Sequence, residues 1–368
     1  MLSVIHLPRL SVVVLAGLLA MPSADVVALT ADPLAESRTL AQNAETSQSQ
    51  GKFNLALDQL QQALTLAEQA ADPAWQAVLH GQLGGAYLSL QQFDKAEQSL
   101  QAGMKLAAGL QDPGLEASLQ NNLGHARLRQ GKFSAALTYF ETAASLAKQG
   151  GNHSLQAKAA LSSAETGIQS GAAAGDSIDW LDSAWQATGR LPPSRNRAYL
   201  EIRNAQLLRE LAGDSSENRT RLIAIAAGHL QQATKTADAS GDSRAASFAY
   251  GYLGELYEQE GRYQDALQLT DTAVFRAQQV YAPELRYRWE WQQGRIYRAQ
   301  GNNEAAIDAY RRASKTLQSI REEFTASNET IAASFREDAS PLFLGLADLL
   351  LRQSETATDE VQTQALLK

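Results

Sequence analysis

A forty-residue register runs through the chain and restricts it to architectures in which one small unit is stacked on copies of itself. Gly51-Lys52-Phe53 opens GKFNLALDQLQQAL, Gln91-Gln92-Phe93 opens QQFDKAEQSLQAGM forty residues later, and Gly131-Lys132-Phe133 opens GKFSAALTYFETAA after forty more. Ala56, Ala96 and Ala136 fall three residues after each Phe, and Leu60, Leu100 and Phe140 fall seven after. These offsets put them on one face of a helix. Ahead of the aromatic the pattern recurs as Leu83-Gly84 with Tyr87 and as Leu123-Gly124. It returns as Leu253-Gly254 with Tyr257 before Gly261-Arg262-Tyr263, and as Gln293-Gly294 with Tyr297 before Gly301. Pro73, Pro113 and Pro283 each lie twenty residues after an aromatic, and His153 takes that place in GGNHS.

The unit is therefore a helix, a Gly turn, a second helix and a breaker. Gly84, Gly124, Gly254 and Gly294 fall mid-helix, where glycine costs about 1 kcal/mol relative to alanine, so close helix approach is expected there. Ala56, Ala96, Ala136, Ala266 and Ala306 should let the second helix cross tightly. From Phe133 to Tyr263 is three periods plus ten residues, which places two irregular repeats at roughly 155–240. The second of these has a long second helix near Arg219 to Ala239. With a damaged first copy from Leu40 to Ala70, the count is about seven. One such pair cannot bury its apolar face; stacking does.

These residues resemble the tetratricopeptide repeat (TPR), whose pattern includes an L-G pair, a Tyr, a Gly turn, an aromatic and spaced small residues. The resemblance implies an all-α, right-handed TPR α-solenoid over 33–318 that binds another protein or peptide. A helical connector or cap at 319–353 and a polar tail at 354–368 follow. Leu317 to Phe324 continues the last repeat, Ser327-Asn328 suggests a turn, and Ser340-Pro341 reads as an N-cap with Pro at N1, starting a helix to about Gln353. That helix carries Leu342, Phe343, Leu344, Leu346, Leu349, Leu350 and Leu351 nearly all round and needs cover on several sides.

The stretch from Ile320 to Arg352, with Ser334-Phe335-Arg336, Pro341 and its Leu-rich end, resembles the connector of bacterial CHAT proteins. In that family a TPR array leads into a caspase-like peptidase domain whose His and Cys lie beyond the connector. The chain has no Cys, so that dyad matches no residue here. Two readings stay open: the repeat half of a longer or split CHAT-type system, with a separately encoded caspase-like domain as partner, or a complete TPR protein.

Residues 1–28 read as a secretory signal with an apolar run from Ser11 to Met21 and cleavage after Ala24 or Ala28. The expected location is periplasmic or extracellular, with no stable membrane span after cleavage. A net charge of -8 withholds the general attraction to phosphate that nucleic-acid binders use. His80, His125, His153 and His229 show no i, i+4 metal spacing, and H-E-x-x-H, G-x-S-x-G and P-loop motifs are absent. No catalytic residue, metal or cofactor is expected. The first helix of each TPR pair lines the concave groove, which selects Asn121, His125 and Arg129 in the third copy. It selects Phe248, Glu255 and Glu258 in the sixth, and Arg288, Trp291, Arg295 and Arg298 in the seventh. The last four share one helical face and suit an acidic segment or a C-terminal carboxylate. A solvated face answering Glu255 and Glu258 is the competing reading.

Overall fold

The computed structural model describes residues 32–214, 218–325 and 329–356. The signal and cleavage readings, the Ser327-Asn328 turn and residues 357–368 of the tail lie outside or largely outside the described residues. Among the described residues there are fifteen helices and no strand. Seven antiparallel pairs follow one another: α1 (Pro33–Ser49) with α2 (Phe53–Gln69), α3 (Pro73–Ser89) with α4 (Phe93–Leu110), α5 (Pro113–Arg129) with α6 (Phe133–Gln149), and α7 (His153–Ser170) with α8 (Ala174–Gly189). Then come α9 (Arg195–Asp214) with α10 (Arg219–Ser240), α11 (Ser243–Gln259) with α12 (Tyr263–Gln279), and α13 (Pro283–Ala299) with α14 (Asn303–Thr325); α15 (Glu329–Thr356) closes the series.

Local chemistry sets the helix boundaries. Asp72, Asp112, Asn152 and Asp242 each accept a hydrogen bond from a backbone N–H in the first turn that follows, at 2.9–3.0 Å. Pro73, Pro113 and Pro283 stand at the first position, where a missing N–H is harmless. Between the two helices of a pair, Gly51, Gly131, Gly261 and Gly301 adopt positive φ. The following N–H then reaches back to a carbonyl of the last turn, as Lys132 does to Arg127 at 2.9 Å.

Mid-helix glycines close the second, third and seventh pairs. A Cβ on Gly84 would lie 2.5 Å from Leu100, one on Gly124 2.5 Å from Phe140, and one on Gly294 2.6 Å from Tyr310. In each case glycine on the first helix receives the bulky side chain sixteen residues on. Gly167 of the irregular fourth pair receives Trp180 instead. Ala56, Ala96, Ala136, Ala266 and Ala306 are all fully buried. Indoles tie successive first helices: the half-buried Trp75 donates from Nε1 to Ser37 Oγ at 2.8 Å, and the buried Trp289 from Nε1 to Ser247 Oγ at 3.0 Å. Each serine in turn donates to a carbonyl of its own second helix, that of Ala63 or Ala273.

First helices begin forty residues apart except around α9, which starts 42 residues after α7 and 48 before α11. This accounts for the ten extra residues, and α10 is the long second helix. At the C-terminal end the Ser340 N-cap reading is corrected. The helix starts at Glu329 and runs through Pro341, because proline forfeits one backbone bond while Leu342 and Leu349, both buried, hold the downstream turns against Tyr310 and Ile307 of α14. Gly345 packs on the opposite part of the same Tyr310 that Gly294 receives. The face carrying Phe343, Leu344 (69% exposed) and Leu351 (57% exposed) is left uncovered by the described residues. Among the described residues no helix is long and apolar enough to cross a membrane.

Replacing Gly124 by Ala should lower stability by about 1–3 kcal/mol, since the added methyl overpacks Phe140. Gly85→Ala, one residue from the corresponding Gly84 and facing open space, should raise it by about 0.5–1 kcal/mol. Denaturant titrations of the two variants compare the effects directly. Shifts of the same sign and size would refute the steric reading of the glycine register.

Candidate functional site

First helices of successive pairs pack on one another from α3 to α13, and no two second helices do so comparably. The shorter side of a curved stack is the side whose elements touch, so the first helices line its concave surface. Aromatic side chains run along the wall formed by α9, α11 and α13. Phe248 meets Tyr199 edge-on at 6.2 Å and stacks on Tyr252 at 5.9 Å, and Tyr252 meets Trp289 edge-on at 5.5 Å. Guanidinium groups lie over these rings: Arg195 over Tyr199, Arg209 and Arg288 over Tyr252, Arg288 also over Trp289, and Arg295 over Trp291, at 5.2–5.8 Å. Such contacts contribute about 0.5–2 kcal/mol each, depending on desolvation.

Most charges here pair between neighbouring helices. Arg295 makes two parallel bonds of 2.8 Å to Glu258 of α11, and Glu255 pairs with Arg209 of α9 at 3.0 Å. Arg298 pairs with Asp348 of α15 at 2.7 Å. Burial works against the charge of Arg295, but its hydrogen bonds and attraction to Glu258 outweigh this and hold its pKa above the usual value. The competing reading of a self-answering charged face is thus realised for Glu258 with Arg295, whereas Glu255 answers Arg209.

The ten sequence-selected residues fall into two groups. Asn121 is buried, with no hydrogen-bond partner for its Oδ1 among the described residues. His125 lies edge-on to Phe140 at 4.9 Å, and burial lowers its pKa. Arg129 is exposed, so the third copy does not bring its three candidates to one surface. The other seven are brought together along α11 and α13. Arg288, Trp291, Arg295 and Glu255 line one cavity of about 440 Å³ with Tyr287 and Gln292. Trp291 is half-buried against the cluster that seats α15.

Sequence reasoning missed Tyr199, Tyr252 and Arg209, which complete the wall. For Tyr252 the available signal was its position four residues after Phe248, on the same helical face. It missed as well a second concave hollow of about 330 Å³ between α1, α3 and α5, where Gly81 and Gly85 make the space and Asn122 Nδ2 donates to the Gly81 carbonyl at 3.2 Å. Among the described residues no group of three or more His, Asp or Glu could hold a metal ion.

A family model described as Tetratricopeptide repeat matches residues 118–154 and 292–321, and a second of the same description matches 77–109. The chain carries tetratricopeptide repeats. The matched segments fall on the second, third and seventh pairs, the TPR units with the glycine interlock, and residues 155–291 are matched by neither. The fold is similar to that of a Signal Transduction ATPase with Numerous Domains protein with a tetratricopeptide repeat sensor from Pyrococcus horikoshii, at TM-score 0.58 and 15% identity. That alignment covers 78% of this chain and 43% of the other, so this chain spans less than half of the archaeal protein's length. BtubC from P. vanneervenii aligns at 16% identity over 77% of this chain and 92% of its own, with TM-score 0.44. A TPR protein from Parabacteroides merdae aligns at 14% identity over 82% and 98%, with TM-score 0.40. Identities this low speak to fold alone. No curated protein matches the chain in sequence.

Proposed function

We propose that the chain is a non-catalytic interaction scaffold that holds a protein or peptide partner in the concave groove formed by α9, α11 and α13. The observation that carries this reading is Arg288. Of the groove arginines 209, 288, 295 and 298, three are matched to carboxylates. Arg288 is exposed, has no carboxylate partner among the described residues, and is held over Tyr252 and Trp289 at the edge of the 440 Å³ cavity. A guanidinium pre-positioned by two rings loses little side-chain freedom when it binds, and it is a bidentate donor to a carboxylate. The half-buried Tyr287 and Trp291 of the same cavity supply apolar contact area of the kind that anchors peptide complexes. The partner it fits is an extended segment with a carboxylate next to an apolar side chain.

A second reading draws on α15. Its uncovered apolar face, with Leu344 and Leu351 mostly exposed, suits a domain or chain packed on the end of the solenoid. In that reading the repeats recruit a substrate for, or restrain, a separately encoded caspase-like CHAT domain. Co-expression with a caspase-like domain encoded beside this chain should then give a complex that Leu344→Asp with Leu351→Asp disperses. Failure to co-purify, or a complex indifferent to the two substitutions, would remove this reading.

For the groove, panning a random peptide display library on the chain should enrich sequences that carry Asp, Glu or a free C-terminus beside an apolar residue. Arg288→Ala should weaken the selected peptides by roughly tenfold or more, the value of one charge-assisted hydrogen-bond pair. The helical circular-dichroism signal should be unchanged. Enrichment without acidic character, or affinities insensitive to Arg288, would contradict the proposal.

A further inference from the structure

On the opposite side of the solenoid the irregular fifth pair opens a separate cavity of about 370 Å³. In regular pairs a first helix lies chiefly on the preceding second helix, as α7 does on α6 and α13 on α12. The helix α9 instead divides its packing between α7 and α8. That leaves a gap between α8 and α10 with α9 beneath it. Its size is at the lower end of the range for small-molecule sites.

The walls are chemically distinct. From α8 come the exposed carboxylates Asp179 and Asp182. Asp182 accepts a hydrogen bond from Gln186 at 2.7 Å, and Asp179 has no partner among the described residues. From α10 come Arg221, exposed and without a carboxylate partner among the described residues, and His229. Leu181, Leu208 and Leu222, all buried, form an apolar floor.

The hydrogen bonds of Asn204 fix the tautomer of His229. Asn204 is almost wholly buried, and its Nδ2 donates to the Leu181 carbonyl at 2.7 Å, which turns its Oδ1 toward His229 Nδ1 at 2.9 Å. An amide oxygen only accepts, so Nδ1 carries the proton and Nε2 of the neutral ring remains an acceptor. The ring stacks on Trp185 at 3.5 Å. Burial lowers its pKa to about 4, in keeping with a neutral ring near pH 7.

A site with two carboxylates on one wall, a guanidinium on the other and leucines below matches a ligand that carries both charges and an apolar body. We propose that this cavity binds a free aliphatic α-amino acid, with its ammonium group at Asp179 and Asp182, its carboxylate at Arg221 and its side chain over Leu181, Leu208 and Leu222. The zwitterion answers the charged groups on both walls of the cavity. A purely cationic ligand would leave Arg221 unanswered, and a purely anionic one would face the two aspartates. The site is independent of the concave groove, so either can fail without the other.

The test is isothermal titration calorimetry of the full chain with L-leucine, L-isoleucine, L-valine and L-methionine, up to roughly 10 mM each. At least one should bind saturably. N-acetyl-L-leucine and L-leucinamide, each lacking one of the two charges, should bind at least about tenfold more weakly than L-leucine. Arg221→Met and the double variant Asp179→Asn with Asp182→Asn should each weaken binding by a similar factor. These substitutions lie on exposed side chains, and unchanged thermal melts confirm that the variants fold. No heat from any of the four amino acids would overturn the proposal. So would equal binding of the acetylated or amidated forms, or affinity retained in both charge variants.

Discussion

Steric interlock between a first-helix glycine and a bulky side chain on the second helix sets the packing of the regular pairs on which the solenoid is built. Gly84 with Leu100, Gly124 with Phe140 and Gly294 with Tyr310 let two helices approach closely, and the alanines at 96, 136 and 306 between them are fully buried. A glycine in a helix interior is unfavourable on its own, so it persists where the neighbouring helix fills the space. Each pair formed in this way exposes an apolar flank that only another pair can cover. Curvature follows, because successive first helices from α3 to α13 meet one another and no two described second helices do so comparably.

Electrostatics then acts on a surface that packing has already set. Arg209 with Glu255, Arg295 with Glu258 and Arg298 with Asp348 each join different helices, so these charges help to fix how neighbouring units sit. Pairs half-open to water contribute little individually. Their larger effect is selective: they neutralise most of the groove and leave Arg288, braced on Tyr252 and Trp289, as the group with unspent capacity for an anion. The cavity at α8 and α10 arises from the one place where the forty-residue spacing fails. Irregularity in a repeat array concentrates unpaired polar groups because the neighbour that would have met them is displaced.

The pairing of helices was legible because its determinants are local. Glycine and aromatic positions repeat within about forty residues, and periodicity reports which residues share a face. The seventh-copy stripe of Arg288, Trp291, Arg295 and Arg298 was legible for the same reason. Which of those arginines stays unpaired was not, since Glu258 is 37 residues from Arg295 and Asp348 is 50 from Arg298. Those contacts depend on how the units stack, which intrahelical spacing does not encode. Asn121 misled because an amide beside an L-G pair can face inward as well as outward, and here it is buried. Pro341 misled because a proline usually begins a helix; here burial of Leu342 and Leu349 carries the helix through it. The Trp75–Ser37 and Trp289–Ser247 links join residues whose spacings differ, 38 and 42, so no single register would have revealed them.

The most direct test of the groove is hydrogen–deuterium exchange of the chain with and without a bound acidic peptide. The account predicts slower exchange confined to α9, α11 and α13, strongest around Tyr252 and Arg288, with α10 and α12 unchanged. Protection centred on the second helices, or on α1 to α6 with none on α11 and α13, would contradict it.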